Sequence, residues 1–346
     1  MTIKILMISP TQGEIGGIEQ FFLAVSGFLK SDPNFELRLI AKTVSGYQLD
    51  ESLRELLDAL GLRWTTYQRP MQLPIQDILW ADVVYVQNPI PEVCFLAYLF
   101  RKRLVVTIHN FLLRPYSIQG LRWRLAARLA SVRWYNSQFV RSSWETAPPS
   151  ARSEAFPTVS NMPMRLSPLA GRKGFVFISR WVPNKGIEEL LEAYRNARID
   201  RHEWPLTMMG SGVLLRKIKT EVAARPITGL SILGRVSEAE KHLRIGAAKW
   251  LIAPPSAPED MGLTPLEARS QGVPCIVTNS GGLPEVCGPG SLIVTPGNVH
   301  TLIEAIEKVG ALDERTYEEI VHSTFDSLNA SIRVASFYRK ALHEIN

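Results

Sequence analysis

The chain has 346 residues, of which 46% are hydrophobic and 21% charged, with 39 Lys+Arg against 33 Asp+Glu for a formal net charge of +6. At roughly 100 to 200 residues per domain this predicts about two domains with self-sufficient cores, and it excludes a solvated disordered chain. Cys94, Cys275 and Cys287 are too few and too scattered for a disulfide framework or a metal knuckle, which suits a reducing compartment.

The first element is a strand over Ile3–Ile8, ending in a turn at Pro10. No small-residue cleavage site follows a long apolar region there, so export by that route is not expected and a cytoplasmic location is. Helical stretches at Ile18–Lys30 and Glu51–Leu60 alternate with strands at Glu36–Ala41, Val83–Val86 and Leu104–Ile108, the pattern of βαβ units on a parallel sheet. The longest unbroken apolar stretch, Val93 to Phe100, is far short of the roughly 20 residues of a bilayer span.

Between Arg101 and Arg152 there are ten Lys/Arg and one acid, Glu145, so the rest of the chain is slightly acidic. A local basic face implies an anionic partner or a solvated surface. A helix drawn through Leu121 to Tyr135 puts Leu121, Leu125, Leu129 and Val132 on a core-facing stripe. Trp123 and Trp134 then fall roughly opposite, among Arg122, Arg124, Arg128 and Arg133. Two readings stay open: these Trp meet an anionic membrane at headgroup depth, or they pack under a neighbouring element.

Prolines at 148, 149, 157, 163 and 168 mark a linker between Pro148 and Gly174. Strands resume at Phe175–Ser179, Leu206–Met209, Ser231–Leu233, Lys249–Ala253, Cys275–Thr278 and Leu292–Val294, and from about Leu302 the chain reads as helices. The expected division is an N-terminal domain over 1–165, a second α/β domain over 166–325, and a C-terminal helix over 326–346 packing back on the first. Two open sheets facing across a cleft would present the carboxyl ends of both sets of strands there, where such sheets bind ligands.

Three segments carry candidate chemistry. In Gly262-Leu263-Thr264-Pro265-Leu266-Glu267, Thr264 is a suitable N-cap, Pro265 suits the first helical position and Glu267 completes a capping box. Free amides at Leu263 to Glu267 would then form a phosphate site. Glu259 and Glu267 have seven residues between them; from spacing alone, a cap and a solvated loop acid explain both. Downstream of Phe175–Ser179, Arg180 and Lys185 are two cations in one strand-end loop, suited to a bidentate and a point-charge grip on phosphate or to surface ion pairs. Gly13, Gly16 and Gly17 follow the first strand but do not fit G-x-G-x-x-G, so neither a nicotinamide nor a flavin site is supported.

Taken together, these segments resemble the retaining GT-B-fold glycosyltransferases of family 4. The likeness is carried by Gly16-Gly17-Ile18-Glu19, Ser179-Arg180-x4-Lys185-Gly186, Met209-Gly210-Ser211-Gly212, Leu233-Gly234-Arg235-Val236-Ser237, the Glu259-x7-Glu267 pair and Gly281-Gly282-Leu283-Pro284-Glu285, in family order. It implies an α/β architecture of two Rossmann-like domains and a nucleoside-diphosphate sugar as donor substrate, with no separate cofactor. It further implies that Arg180 and Lys185 hold the donor diphosphate, Glu267 binds ribose hydroxyls and Glu259 contacts the sugar near the reacting carbon. Gly210, the amides of Leu263 and Thr264 after Gly262, and Gly281 and Gly282 would touch the donor, and Gly16 and Gly17 would line the acceptor side. His109, at the end of a strand, matches a histidine placed beside the donor sugar. Asp260-Met261 departs from the family's commoner aromatic between Glu259 and Gly262, which weakens any inference about the sugar.

There is no Asp-x-Asp sequence, so transfer without a metal is expected. The implied acceptor is a glycan or lipid-linked glycan, with the 101–152 segment touching the inner face of an anionic membrane. A sugar-nucleotide 2-epimerase, a phosphorylase and a non-catalytic nucleotide-sugar or glycan-binding module are the alternatives. A nucleic-acid partner is not expected, because the basic residues join no reader motif.

Overall fold

The computed structural model describes residues 2–13, 15–43, 47–68, 72–145, 150, 152–155, 164–329 and 342. The chain divides into two compact units, Met1–Asn161 with Ile332–Asn346, and Met162–Ser331. Part of the proline-rich linker lies outside the described residues.

In the first unit, β1 (Ile3–Thr11), β2 (Phe35–Thr43), β3 (Arg63–Gln68), β4 (Val83–Gln87), β5 (Arg103–Ile108), β6 (Val132–Tyr135) and β7 (Ser153–Ala155) form one sheet in the order β3-β2-β1-β4-β5-β6-β7. Every pairing is parallel. Parallel strands are covered on both faces, which is why Val83 to Gln87 is wholly buried. Alternation of the pleat sends Leu6 and Ile8 to one core and Ile5 and Met7 to another, and Leu342 joins the second.

The second unit repeats the plan. Its strands β8 (Phe175–Ile178), β9 (Leu206–Met209), β10 (Leu230–Gly234), β11 (Trp250–Ala253), β12 (Cys275–Thr278) and β13 (Leu292–Val294) are ordered β10-β9-β8-β11-β12-β13, again all parallel. Counted within each unit, both sheets read third, second, first, fourth, fifth, sixth. The order reverses between β1 and β4 and between β8 and β11, the switch points where open α/β sheets bind ligands.

The helix expected over Leu121 to Tyr135 is corrected. Helix Ile118–Arg128 ends there, and Val132 to Tyr135 is strand β6, with Trp134 1% exposed and edge-on to Tyr85 at 5.5 Å. The β-branched and aromatic run Val132-Arg-Trp-Tyr suits a pleated core strand better than a helix end. Trp134 therefore meets no membrane. Leu121 and Leu125, expected in the core, are 47% and 60% exposed. Strands β3 and β7 were also not expected. Both are sheet edges, and β3 buries only Tyr67, so it carries no alternation to read.

Candidate active site

The loop after β8 splits its side chains. Trp181 is fully buried; its indole N–H donates to the Met209 carbonyl at 3.1 Å and its backbone N–H to Ser211 at 2.8 Å. This pins the loop to the one after β9. Gly210, at φ 124°, is required at that contact, since a Cβ there would lie 1.8 Å from the Ser179 carbonyl. Next to the buried indole, Arg180 is exposed, and among the described residues no carboxylate pairs with it.

Five residues on, the same loop is pressed against the end of β11. A Cβ on Gly186 would stand 1.9 Å from the Pro254 carbonyl, and the Ser256 N–H donates to Asn184 at 3.0 Å. Lys185 is thereby carried to Glu259, and its ammonium donates to Oε1 of that carboxylate. The loop after β12 closes the cluster: Gly281 bridges Glu259 through the backbone, and the Gly282 N–H donates to the Glu259 carbonyl at 2.8 Å. Loops after β8, β11 and β12 thus bring Lys185, Glu259, Gly281 and Gly282 together at the switch point.

The expected cap at Thr264 is corrected. The helix Leu263–Arg269 begins after Gly262, whose φ of 100° turns the chain early, and no side chain caps it. Glu267 does not reach back to a backbone amide. Its carboxylate is 3% exposed and accepts from Lys241 at 2.9 Å. Burial pushes the Glu267 carboxyl up against the opposing pull of Lys241. Burial works to lower the Lys241 ammonium too, but the charges of Glu267 and Glu238, the latter 2.7 Å away, hold it raised. Lys241 was not singled out from the sequence. It sits in a charged helical run, Glu238-Ala-Glu-Lys241, whose local spacing names Glu238 as partner and gives no sign of Glu267.

In the first unit, His109 follows β5 and is 4% exposed. Its Nε2 is 2.9 Å from Oε1 of Gln87, the last residue of β4, and its ring stands edge-on to Phe21 at 4.7 Å. Asn88, held at φ 54°, accepts from the His109 N–H at 2.8 Å, and Asn136 donates to the His109 carbonyl at 2.8 Å. Burial lowers the imidazole pKa to about 3, so the ring is neutral at physiological pH. With Nε2–H donating to Gln87, Nδ1 is left as an acceptor. Phe21 belongs to helix Gly17–Lys30, whose start is fixed by the Gly16 N–H donating to Glu19 at 3.0 Å. A Cβ on Gly17 would meet nothing within 4 Å, and one on Gly16 only the Glu19 carboxylate. Packing therefore does not dictate glycine at either position.

Two α/β sheets of this order, each with its loops gathered at a switch point, make a GT-B fold. Solved structures agree: HepE of Anabaena in complex with UDP superposes with a TM-score of 0.81 at 16% identity, over 99% of this chain and 100% of that one. A lipopolysaccharide outer core galactosyltransferase, WaaB, gives 0.64 at 17%, over 95% and 99%. Residues 166–321 match the family model for glycosyl transferases group 1, so the second unit carries the sequence features of that family. Among curated relatives, a GDP-mannose-dependent phosphatidylinositol monomannoside mannosyltransferase of Corynebacterium glutamicum is 32% identical over 130 residues, 35% of this chain and 33% of the relative. O-antigen chain mannosyltransferase B of Escherichia coli is 29% identical over 148 residues, 42% and 38%. The matched stretches span about a third of the length of these relatives.

Proposed function

We propose that the chain is a retaining glycosyltransferase that moves a hexose-type sugar from a nucleoside-diphosphate sugar to a glycan or lipid-linked acceptor without a metal ion. The observation that carries this reading is the switch-point cluster of the second unit, where the Arg180-to-Lys185 loop, Glu259 and the Gly281-Gly282 turn meet within the group 1 family match. UDP in a solved neighbour and the GDP-mannose dependence of a curated relative support a nucleotide-sugar donor.

Cleaving the sugar–phosphate bond develops negative charge on the departing diphosphate. Fixed cations aimed at that charge are worth a few kcal/mol apiece, a load we assign to Arg180 and Lys185. Among the described residues Arg180 has no carboxylate to surrender, whereas Lys185 exchanges part of its contact with Glu259 for phosphate, freeing that carboxylate to face the sugar. We assign Glu267, oriented by Lys241, to the ribose hydroxyls, and the amides of Leu263 and Thr264 with Gly210, Gly262, Gly281 and Gly282 to the donor. Retention follows if the acceptor attacks from the leaving-group side and the departing phosphate takes its proton. In the first unit, neutral His109 with Nδ1 free to accept suits a hydroxyl partner rather than a proton donor, and Gly16 and Gly17 suit close approach by a sugar.

The test is product analysis with a panel of UDP-, GDP- and ADP-sugars and extracted glycolipid acceptors, in EDTA. The wild type transfers sugar with the anomeric configuration kept. Glu259→Ala and Lys185→Ala each lower kcat by about 100-fold or more while circular dichroism is unchanged. Full activity in either variant, or an absolute requirement for a divalent ion, overturns the assignment.

A further inference from the structure

Glu267 and Gln271 lie four residues apart, on one face of helix Leu263–Arg269 and the turn that continues it, and both reach helix Glu238–Ala247. Glu267 accepts from the Lys241 ammonium at 2.9 Å. Gln271, 8% exposed, donates from Nε2 to the main-chain carbonyl of the very next residue, His242, at 3.1 Å. The other end of the same amide accepts from the Ser167 hydroxyl at 2.7 Å. Its backbone is held too: the Gln271 carbonyl accepts from Arg172 Nη2 at 2.8 Å and from the Ser167 N–H at 3.3 Å. Buried Arg172 also donates to the carbonyls of Gly272 at 2.9 Å and Ser167 at 2.7 Å, so its planar fork fixes the turn on which Gln271 stands.

The facing helix is shaped to receive this contact. A Cβ on Gly246, one turn beyond His242, would overlap both the Gln271 amide oxygen and the Ser167 hydroxyl, although the Gly246 backbone is not in the left-handed region. Glycine weakens a helix interior relative to alanine, and what it provides here is the close approach of Gln271. The contact decides which turn of helix Glu238–Ala247 stands opposite Glu267. A slip of one residue along an α-helix moves a side chain by about 1.5 Å and swings it by about 100°, enough to carry Lys241 away from the carboxylate. Packing alone does not call for an amide at this position, because burying one is favourable only when its donor and acceptor are both bonded.

We propose that Gln271 is a positioning residue of the donor site: by fixing helix Glu238–Ala247 against helix Leu263–Arg269 it holds Lys241 on Glu267 and so orients that carboxylate for the ribose hydroxyls. The inference rests on the assignment of Glu267 to ribose made above. Gln271 touches no substrate itself and acts only through the Lys241–Glu267 pair. A residue that merely riveted the fold would affect every ligand of the site alike, whereas one that aims Glu267 affects only ligands that carry those hydroxyls.

The experiment is calorimetric titration of the full chain with UDP, GDP and ADP, and with the 2′,3′-dideoxy form of whichever binds most tightly. Wild type prefers the ribonucleotide by about tenfold or more, the worth of one charge-assisted hydrogen bond. Gln271→Leu cuts that preference to about threefold or less by weakening the ribonucleotide alone, and the dideoxy form binds as before. Gly246→Ala displaces Gln271 without removing a polar group and has the same effect, so it decides the matter if Gln271→Leu does not fold by circular dichroism. In a Glu267→Gln background Gln271→Leu has no further effect, because its influence runs through that carboxylate. An undiminished preference in the folded variants, equal weakening of both nucleotides, or an additive effect in the Glu267→Gln background overturns the inference while leaving the donor site standing. Wild type that binds none of the three diphosphates, or takes the ribo and dideoxy forms alike, overturns the reading of the site itself, and the inference with it.

Discussion

The two units use one strand order to opposite electrostatic ends. Around the switch point of the second, charges are concentrated: Lys185 meets Glu259, Lys241 meets Glu267, and Arg180 is exposed on the loop that carries Lys185. At the corresponding edge of the first, burial keeps His109 neutral and Gln87, Asn88 and Asn136 fix its ring and backbone, with no ionised side chain in direct contact among the described residues. A shared scaffold therefore leaves the chemistry of each switch point to its loops. On the reading proposed above, the second unit would take phosphate and the first hydroxyls.

The sharpest way to break this comparison is through glycine. Gly186→Ala drives a Cβ into the Pro254 carbonyl at a φ of 72°, and about 2 to 4 kcal/mol of stability is lost. Gly17→Ala, its counterpart after the first strand of the other unit, meets no atom and changes stability by less than about 1 kcal/mol. Urea denaturation of both variants tests the contrast; equal losses would show that the two loops are packed alike.

Charge gives the next effect. Lys241→Met strands the Glu267 carboxylate in a site that already pushes its pKa up, costing about 3 kcal/mol. Adding Glu267→Gln restores much of that stability without restoring nucleotide affinity. A double-mutant cycle read by denaturation and by nucleotide binding separates the two; additive losses would mean that the pair is not coupled.

The smallest effect, read over the single pH unit below 6.5, is that of pH on His109. Its folded pKa, about 3, lies below the ordinary value of 6.5, so between them the unfolded chain binds the proton and the folded chain does not. The sign follows: the contribution is complete above the unfolded pKa and is lost as pH falls, at most about 1.4 kcal/mol per unit. His109→Gln flattens the stability curve below pH 6.5. An unchanged slope would place the acid sensitivity elsewhere.

Much of this was legible in the sequence. Buried parallel strands such as Val83–Gln87 and Cys275–Thr278 are short runs of β-branched and apolar residues, and turns at Gly186, Gly210 and Gly281 are glycines because the backbone allows nothing else. What was not legible depends on tertiary neighbours. Strand β3 shows no alternation because it buries only Tyr67, so neither of its faces carries a run of core residues, and Val132 to Tyr135 could extend a helix until β5 pairs with it. The Thr264-to-Glu267 spacing satisfies a capping box, but Lys241, 26 residues earlier in the chain, binds that carboxylate instead.

Whether Arg180 and Lys185 grip a diphosphate is decided by calorimetric titration with nucleoside diphosphates against their monophosphates. Arg180→Ala with Lys185→Ala is expected to weaken the diphosphate of the preferred base by about 100-fold or more, at roughly 1.5 kcal/mol or above per charge-assisted contact, and scarcely to alter the monophosphate. Equal affinity of wild type and variant for the diphosphate would contradict it.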